Sequence, residues 1–187
     1  MSRFPSHWQI SQAARCIRRG GILAYPTEAV FGLGCDPANP YAVMRLLALK
    51  QRRVEKGLIL VAASLQQLQP WIAPFPRKLN RRLESSWPGP NTWLLPAAKH
   101  CPDWLTGGRD TIAVRVSAHP VVQRLCRATG SAIVSTSANP EGRPPARSRL
   151  ELRLRFPTGI DYCLPGTLGG LKQPTRIRDL QSGRVIR

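Results

Sequence analysis

Apolar residues recur along this chain at two spacings, one helical and one of strand length, and they alternate. Ser6 stands where a helix cap is expected, and Ile10, Ala13, Ala14 and Ile17 then fall on one face of a helix that reaches about Arg19 and ends at Gly20-Gly21. Ile22 to Tyr25 is a short apolar run of strand type, followed by a stretch from Pro26 to Gly34 whose glycines read as a loop. Asn39-Pro40 starts a second helix with Val43, Met44, Leu46 and Leu47 as its buried stripe. Leu58 to Ala62 predicts a strand, and Ser64 is placed to cap a short helix toward Trp71.

From Pro76 to Ser86 the pattern is helical, with Arg77 and Arg81, and Lys78 and Arg82, paired on a face that is either solvated or meets phosphate. Trp87-Pro88-Gly89-Pro90 marks a turn before an extended segment near Thr92 to Leu95, and Thr111 to Val116 alternates as a strand. His119-Pro120 opens a helix to about Ala128, and Ala132 to Val134 is a strand running into Ser135-Thr136-Ser137-Ala138-Asn139. A basic helical stretch over 148–156 follows, and 160–164, 175–180 and 184–187 read as extended. Strands alternating with helices predict an α/β (α+β) fold. The length of 187 residues fits one domain, 1–187, with no internal repeat and with the Gly-rich 166–170 segment as a loop inside it.

Composition narrows the partners more than the fold. No apolar run approaches the roughly 20 residues needed to span a membrane, and the first residues lack the apolar core of a signal peptide, so a cytoplasmic location and no membrane partner are expected. The five cysteines form no C-x-x-C pair and the three histidines no ligand spacing, so no structural metal is expected. Lys and Arg number 28 against 10 Asp and Glu, a net charge of +18 that points to a polyanionic partner. Arginine dominates the excess and suits bidentate contact with phosphate, although a GC-rich coding bias would produce the same count.

The chain carries no Walker-type phosphate loop, no dinucleotide-binding glycine fingerprint and no kinase signature. Glu28 and Asp36 do not form an obvious acid/base pair, so proton transfer is not the expected main work. Small hydroxyls and cations instead gather beside Gly-rich turns: Thr27, Lys50, Arg52, Lys56, Thr92, Arg115, Ser135 and Ser137. Such groups hold carboxylate and phosphate oxygens and stabilise charge that develops in phosphoryl or nucleotidyl transfer. Singly, each has a plainer role: Thr27 closes a turn, Lys50 and Arg52 answer the dipole of the preceding helix, and 135–139 is a capped turn.

Five strings change that balance: Ala24-Tyr25-Pro26-Thr27-Glu28-Ala29-Val30-Phe31-Gly32-Leu33-Gly34, Lys50-Gln51-Arg52, Trp87-Pro88-Gly89-Pro90-Asn91-Thr92, Ala113-Val114-Arg115-Val116 and Ser135-Thr136-Ser137-Ala138-Asn139. In this order they resemble the YrdC-like family, and most closely its short bacterial members, with no additional C-terminal domain. The resemblance implies a single-domain twisted mixed sheet with flanking helices and a concave basic face. It also implies the synthesis of L-threonylcarbamoyladenylate and pyrophosphate from ATP, L-threonine and bicarbonate, for threonylcarbamoyl modification of tRNA adenosine. By that likeness Lys50 and Arg52 are catalytic and hold ATP phosphates, with Lys56, Thr92, Ser137, Asn139 and Arg187 also on the ATP side. Thr27, Arg115, Ser135 and Thr175 face threonine or its carbamate. Magnesium would arrive with ATP, and tRNA or double-stranded RNA and the proteins that transfer the threonylcarbamoyl group are implied partners. Two positions depart from the family pattern: Arg53 follows Lys-x-Arg where proline is usual, and Pro140-Glu141-Gly142 replaces the usual Ser-Gly after Asn139. A noncatalytic RNA-binding protein is the competing reading, supported by the arginine-rich charge and unsupported by any aromatic RNA-recognition string.

Overall fold

The computed structural model describes residues 4–173 and 175–186. Helix α1, His7–Arg18, begins as its sequence predicts: the Ser6 hydroxyl accepts from the Gln9 amide, and the Gln9 side chain accepts from the Ser6 amide. Its buried positions are Ile10, Ala13, Ala14 and Ile17. Strands β1, Leu23–Pro26, and β2, Phe31–Gly34, follow as an antiparallel hairpin with Tyr25 opposite Gly32.

That hairpin corrects the loop expected over 26–34. Gly32 and Gly34 serve close approach within a strand. A Cβ at Gly32 would lie 3.0 Å from the Thr27 methyl and 3.3 Å from the Tyr25 ring, and one at Gly34 would collide with the Val134 carbonyl. Helix α2, Pro40–Lys50, is capped by Asn39 and buries Ala42, Val43, Leu46, Leu47 and Lys50. Met44, expected in that stripe, is exposed, because the buried line follows 43, 46, 47 and 50 and Met44 falls off it.

The middle of the chain adds β3, Ile59–Ala62, a 3₁₀ segment Leu65–Trp71 that Ser64 does not cap with its side chain, α3, Asn80–Glu84, β4, Asn91–Pro96, and the single turn α4, Asp103–Thr106. The helix expected over 76–86 is thus an α-helical turn preceded by a 3₁₀ turn, Arg77–Leu79. Its Arg82 does not belong to a free basic face, since the guanidinium donates to the Leu180 and Gln181 carbonyls. Then come β5, Thr111–Val116, α5, Pro120–Thr129, β6, Ile133–Ser137, α6, Arg149–Arg155, β7, Tyr162–Cys163, and β8, Arg176–Asp179. The described part of 184–187 is tied to β8, with Val185 bridging Arg178 and the Ile186 amide donating to the Ile177 carbonyl.

The described residues form one eight-stranded mixed sheet in the order β7-β1-β2-β6-β3-β5-β4-β8, with parallel pairs β1/β7, β3/β5 and β4/β8 and antiparallel pairs elsewhere. Side chains alternate across it. Leu33, Leu60, Ala62, Ile112, Val114 and Val134 enter the larger core, which includes the stripe of α2. Tyr25, Val61 and Ile133 point the other way and pack with Ile10, Ile17, Val121, Val122 and Leu125 of α1 and α5. On that second face Ile59 pairs with Ser135 and with Ala113, two residues along from the positions the helices cover. The helices therefore cover one end of the face and leave the other end open.

Candidate active site

The open end of this face is a cavity of about 740 Å³, lined from β2, β3, β5 and β6 by Gly32, Ile59, Ala113, Arg115, Ser135 and Ser137, and closed at the sides by loops. Strand alternation explains the set: 113 and 115, and 135 and 137, share one face, while Val114 and Val134 fill the core behind them. The hairpin turn contributes Thr27, whose hydroxyl donates to the Val30 carbonyl at 2.7 Å. The segment after α2 contributes Arg52 and Lys56, and the chain around β8 contributes Gln173, Thr175 and Arg176. Arg109, reached from the 106–109 turn, adds a fifth cation to Arg52, Lys56, Arg115 and Arg176 on this wall.

Of the residues singled out from sequence, Thr27, Arg52, Lys56, Arg115, Ser135, Ser137 and Thr175 line this one cavity. Lys50, Thr92 and Asn139 stand one layer behind it, each bonded to a lining residue. The Lys50 ammonium donates to the Ser137 carbonyl and, at 2.7 Å, to the Asn139 carbonyl. Asn139 accepts from the Ser137 hydroxyl at 2.6 Å, and Thr92 and Thr175 share a hydroxyl contact of 3.4 Å. Arg187 lies outside the described residues.

The electrostatics follow from burial. Lys50 is 3% exposed, and burial first, then the charge of Arg52, push its ammonium pKa from 10.5 down to about 8, against an opposing pull from Glu141. The Arg52 guanidinium donates to the Gly57 carbonyl at 2.9 Å, which folds the 52–57 segment back on itself. Lys56 is paired with Glu141, whose carboxyl is held below the usual range, chiefly by the hydrogen bond from Lys56. The Glu141 departure noted in the sequence thus places an anion beside the cations of the cavity.

Glu28, set aside in the sequence as no obvious acid/base partner of Asp36, is buried behind Arg115. Glu28 faces the Arg115 guanidinium at 3.4 Å and accepts from the Ser117 hydroxyl at 2.6 Å; Ser117 in turn accepts from the His119 amide. Tyr25, also buried, donates to the Ser135 hydroxyl at 2.7 Å. Ser117 carries a readable signal, since it continues the 113, 115, 117 alternation of β5. Arg109 carries none, because a loop arginine in an arginine-rich chain is not distinctive.

A pocket with five cations, several hydroxyls and few unpaired carboxylates binds anions and stabilises negative charge as it redistributes. Comparisons with known proteins agree with the architecture. A curated relative from Halorhodospira halophila, named threonylcarbamoyl-AMP synthase, is 56% identical over 180 residues, covering 96% of this chain and 94% of its own. One of the same name from Stutzerimonas stutzeri is 54% identical over 180 residues, covering 96% and 97%. Among solved structures, P. abyssi Sua5 complexed with L-threonine superposes with a TM-score of 0.87 at 33% identity over 93% of this chain, which spans about half (51%) of that protein. E. coli YciO superposes with a TM-score of 0.86 at 28% identity over all of this chain and 95% of that one. The family model for Sua5/YciO/YrdC domains, described as telomere recombination, matches residues 15–187, and the chain belongs to that family.

Proposed function

We propose that this protein is a threonylcarbamoyl-AMP synthase. It forms L-threonylcarbamoyladenylate and pyrophosphate from ATP, L-threonine and bicarbonate. The observation that carries the reading is the convergence of Thr27, Arg52, Lys56, Arg115, Ser135, Ser137 and Thr175 on one cavity of about 740 Å³, in a chain whose relatives of that name align over nearly its whole length.

In this reaction the threonine amine takes up bicarbonate-derived carbon dioxide, releasing a proton and giving a carbamate. A carbamate oxygen then attacks the α-phosphorus of ATP, forming the mixed anhydride as the bond to the β-phosphate oxygen breaks and pyrophosphate leaves. No protein nucleophile is required. Two anions must approach, so the site has to supply cations and exclude water, which would screen them and hydrolyse the product. Arg52 and Lys56 take the triphosphate, with Ser137 on the wall beside them, its hydroxyl turned to Asn139. Thr27, Arg115, Ser135 and Thr175 take threonine and its carbamate. Lys50 acts from behind, adding charge and holding the Ser137–Asn139 carbonyls; Asn139 and Thr92 brace Ser137 and Thr175. Magnesium enters on the triphosphate as part of the substrate. Glu28 and Glu141, the carboxylates beside the cavity, are already paired with Arg115 and Lys56.

The product serves tRNA modification in the cytoplasm, handed to proteins that transfer the threonylcarbamoyl group. The +18 charge supports contact with RNA, binding that weakens steeply with salt because phosphate contacts release counterions. The decisive experiment incubates purified protein with ATP, magnesium, threonine and bicarbonate and seeks threonylcarbamoyl adenylate by mass spectrometry. Pyrophosphate release that requires both threonine and bicarbonate is expected. ATP turnover indifferent to either, or RNA binding with no adenylate formed, would refute the reading.

A further inference from the structure

The Glu28–Arg115 pair sits against the cavity wall. Arg115 is 6% exposed and Glu28 7%. An isolated guanidinium buried to that degree costs several kcal/mol, so the carboxylate opposite it is what makes Arg115 tolerable there. The pair is nevertheless not closed. The contact is 3.4 Å, longer than the 2.7–2.9 Å of a charge-assisted hydrogen bond, and neither Glu28 Oε2 nor Arg115 Nε has a hydrogen-bond partner among the described residues. Arg115 lines the cavity, whereas Glu28 is behind the lining.

Glu28 itself is fixed from several sides. Ser117 accepts from the His119 amide, which turns its own proton toward Glu28 Oε1. The Gly169 amide donates to the Thr27 carbonyl at 3.0 Å and the Leu171 amide to that of Glu28 at 2.9 Å, so the 169–171 strand of chain clamps the turn that carries the carboxylate. A Cβ at Gly169 would stand 2.9 Å from the Glu28 Cα, so only glycine lets the clamp come this near. Burial lowers the pKa of His119, with Glu28 and the Thr167 carbonyl opposing.

We propose that Glu28 is a positioning residue for the threonine side of the site: it holds the Arg115 guanidinium against the cavity wall while leaving donors free for the substrate carboxylate or carbamate. A closed bidentate pair would occupy those donors, and no pair would let the guanidinium turn away. The inference rests on the proposed function, because it assigns Arg115 to the threonine anion.

The test is steady-state kinetics of Glu28→Gln. Glutamine keeps the acceptor for Ser117 but turns the group facing Arg115 into a donor, so the KM for threonine is expected to rise about tenfold or more while that for ATP stays within about twofold. Glu28→Asp keeps the charge one methylene further off and should restore part of the threonine KM. A merely structural role would lower the melting temperature and the active fraction without separating the two KM values. Should Glu28→Gln fail to fold, Ser117→Ala decides, with an expected rise in threonine KM of about threefold. A threonine KM within twofold of wild type in folded Glu28→Gln, or in Ser117→Ala if the first does not fold, overturns the inference. Failure of the wild-type protein to make the adenylate would instead overturn the function on which it rests.

Discussion

At the scale of single residues, charge and burial separate groups that the sequence presents as equals. Arg52 lines the cavity and Lys50 stands behind it, and the proposed function has each supply positive charge near the triphosphate. Arg52→Ala and Lys50→Ala are each expected to reduce turnover by about 10²-fold or more, as removal of a group stabilising transition-state charge does. Near-normal pyrophosphate release by both variants would remove these assignments. Lys50 also sets a pH dependence. Its folded pKa of about 8 lies below the ordinary 10.5, so between these values the unfolded chain binds more proton than the folded one. From this group alone, stability therefore rises with pH across that window. Charge on the ATP side is lost over the same window, so kcat/KM for ATP should fall as pH passes about 8. Arginine does not titrate there, and a folded Lys50→Arg variant should lack that limb; a flat wild-type profile to pH 9.5 contradicts the prediction. That Lys50 and Arg52 belong near one site was approachable from sequence through the Lys50-Gln51-Arg52 string. Their different depths were not, because depth depends on where β6 ends.

At the scale of elements, helices were the more legible. α1 has a capping box and an apolar face that report its start and its buried side locally. α5 begins at Pro120, as the His119-Pro120 pair predicts, and ends at Thr129 with Gly130 as its cap; its inward residues are Val121, Val122, Leu125 and Cys126. The hairpin of β1 and β2 was half legible. Tyr25 belongs to an apolar run, whereas Phe31-Gly32-Leu33-Gly34 looks like loop until β6 is known to lie alongside it. Gly34→Ala should separate β2 from the Val134 carbonyl and cost about 2 to 3 kcal/mol. Urea unfolding gives the measurement, and an unchanged midpoint would mean that β2 can shift freely on β6. Gly32→Ala presses on the Thr27 methyl instead and should affect threonine use more than Gly34→Ala does at equal stability.

At the scale of the whole molecule, the site is what remains of a sheet face once two helices have covered part of it. Val61 and Ile133 lie under α1 and α5, while Ile59 and Ser135, two residues along the same strands, floor the cavity. Stability and chemistry are therefore drawn from one face but from different ends. Leu125→Ala, fully buried between α5 and the sheet, should cost about 2 to 5 kcal/mol in chemical denaturation. Both substrate KM values should remain near wild type below the melting transition. A large KM change at full folding would show that the helices shape the cavity as well as support it. The +18 charge is not gathered by this cavity alone, since Arg45, Arg82 and Arg155 hold backbone or carboxylate partners elsewhere.

What the sequence by itself determined is local: which side of α1 is buried and, but for Met44, that of α2, where α5 starts, where most of the apolar strands run, and the ordered strings that mark Thr27, Lys50, Arg52, Arg115 and Ser135 to Asn139. Periodicity reports these because a helix face or strand face is decided by residues a few positions apart. Only the tertiary structure decided the strand order, the use of Gly32 and Gly34 for close approach, and the layer in which Lys50, Thr92 and Asn139 stand. It also brought Glu28 to Arg115. Those outcomes depend on contacts between segments remote in the chain, where partner, distance and burial follow from the packed sheet and no single stretch of sequence carries them.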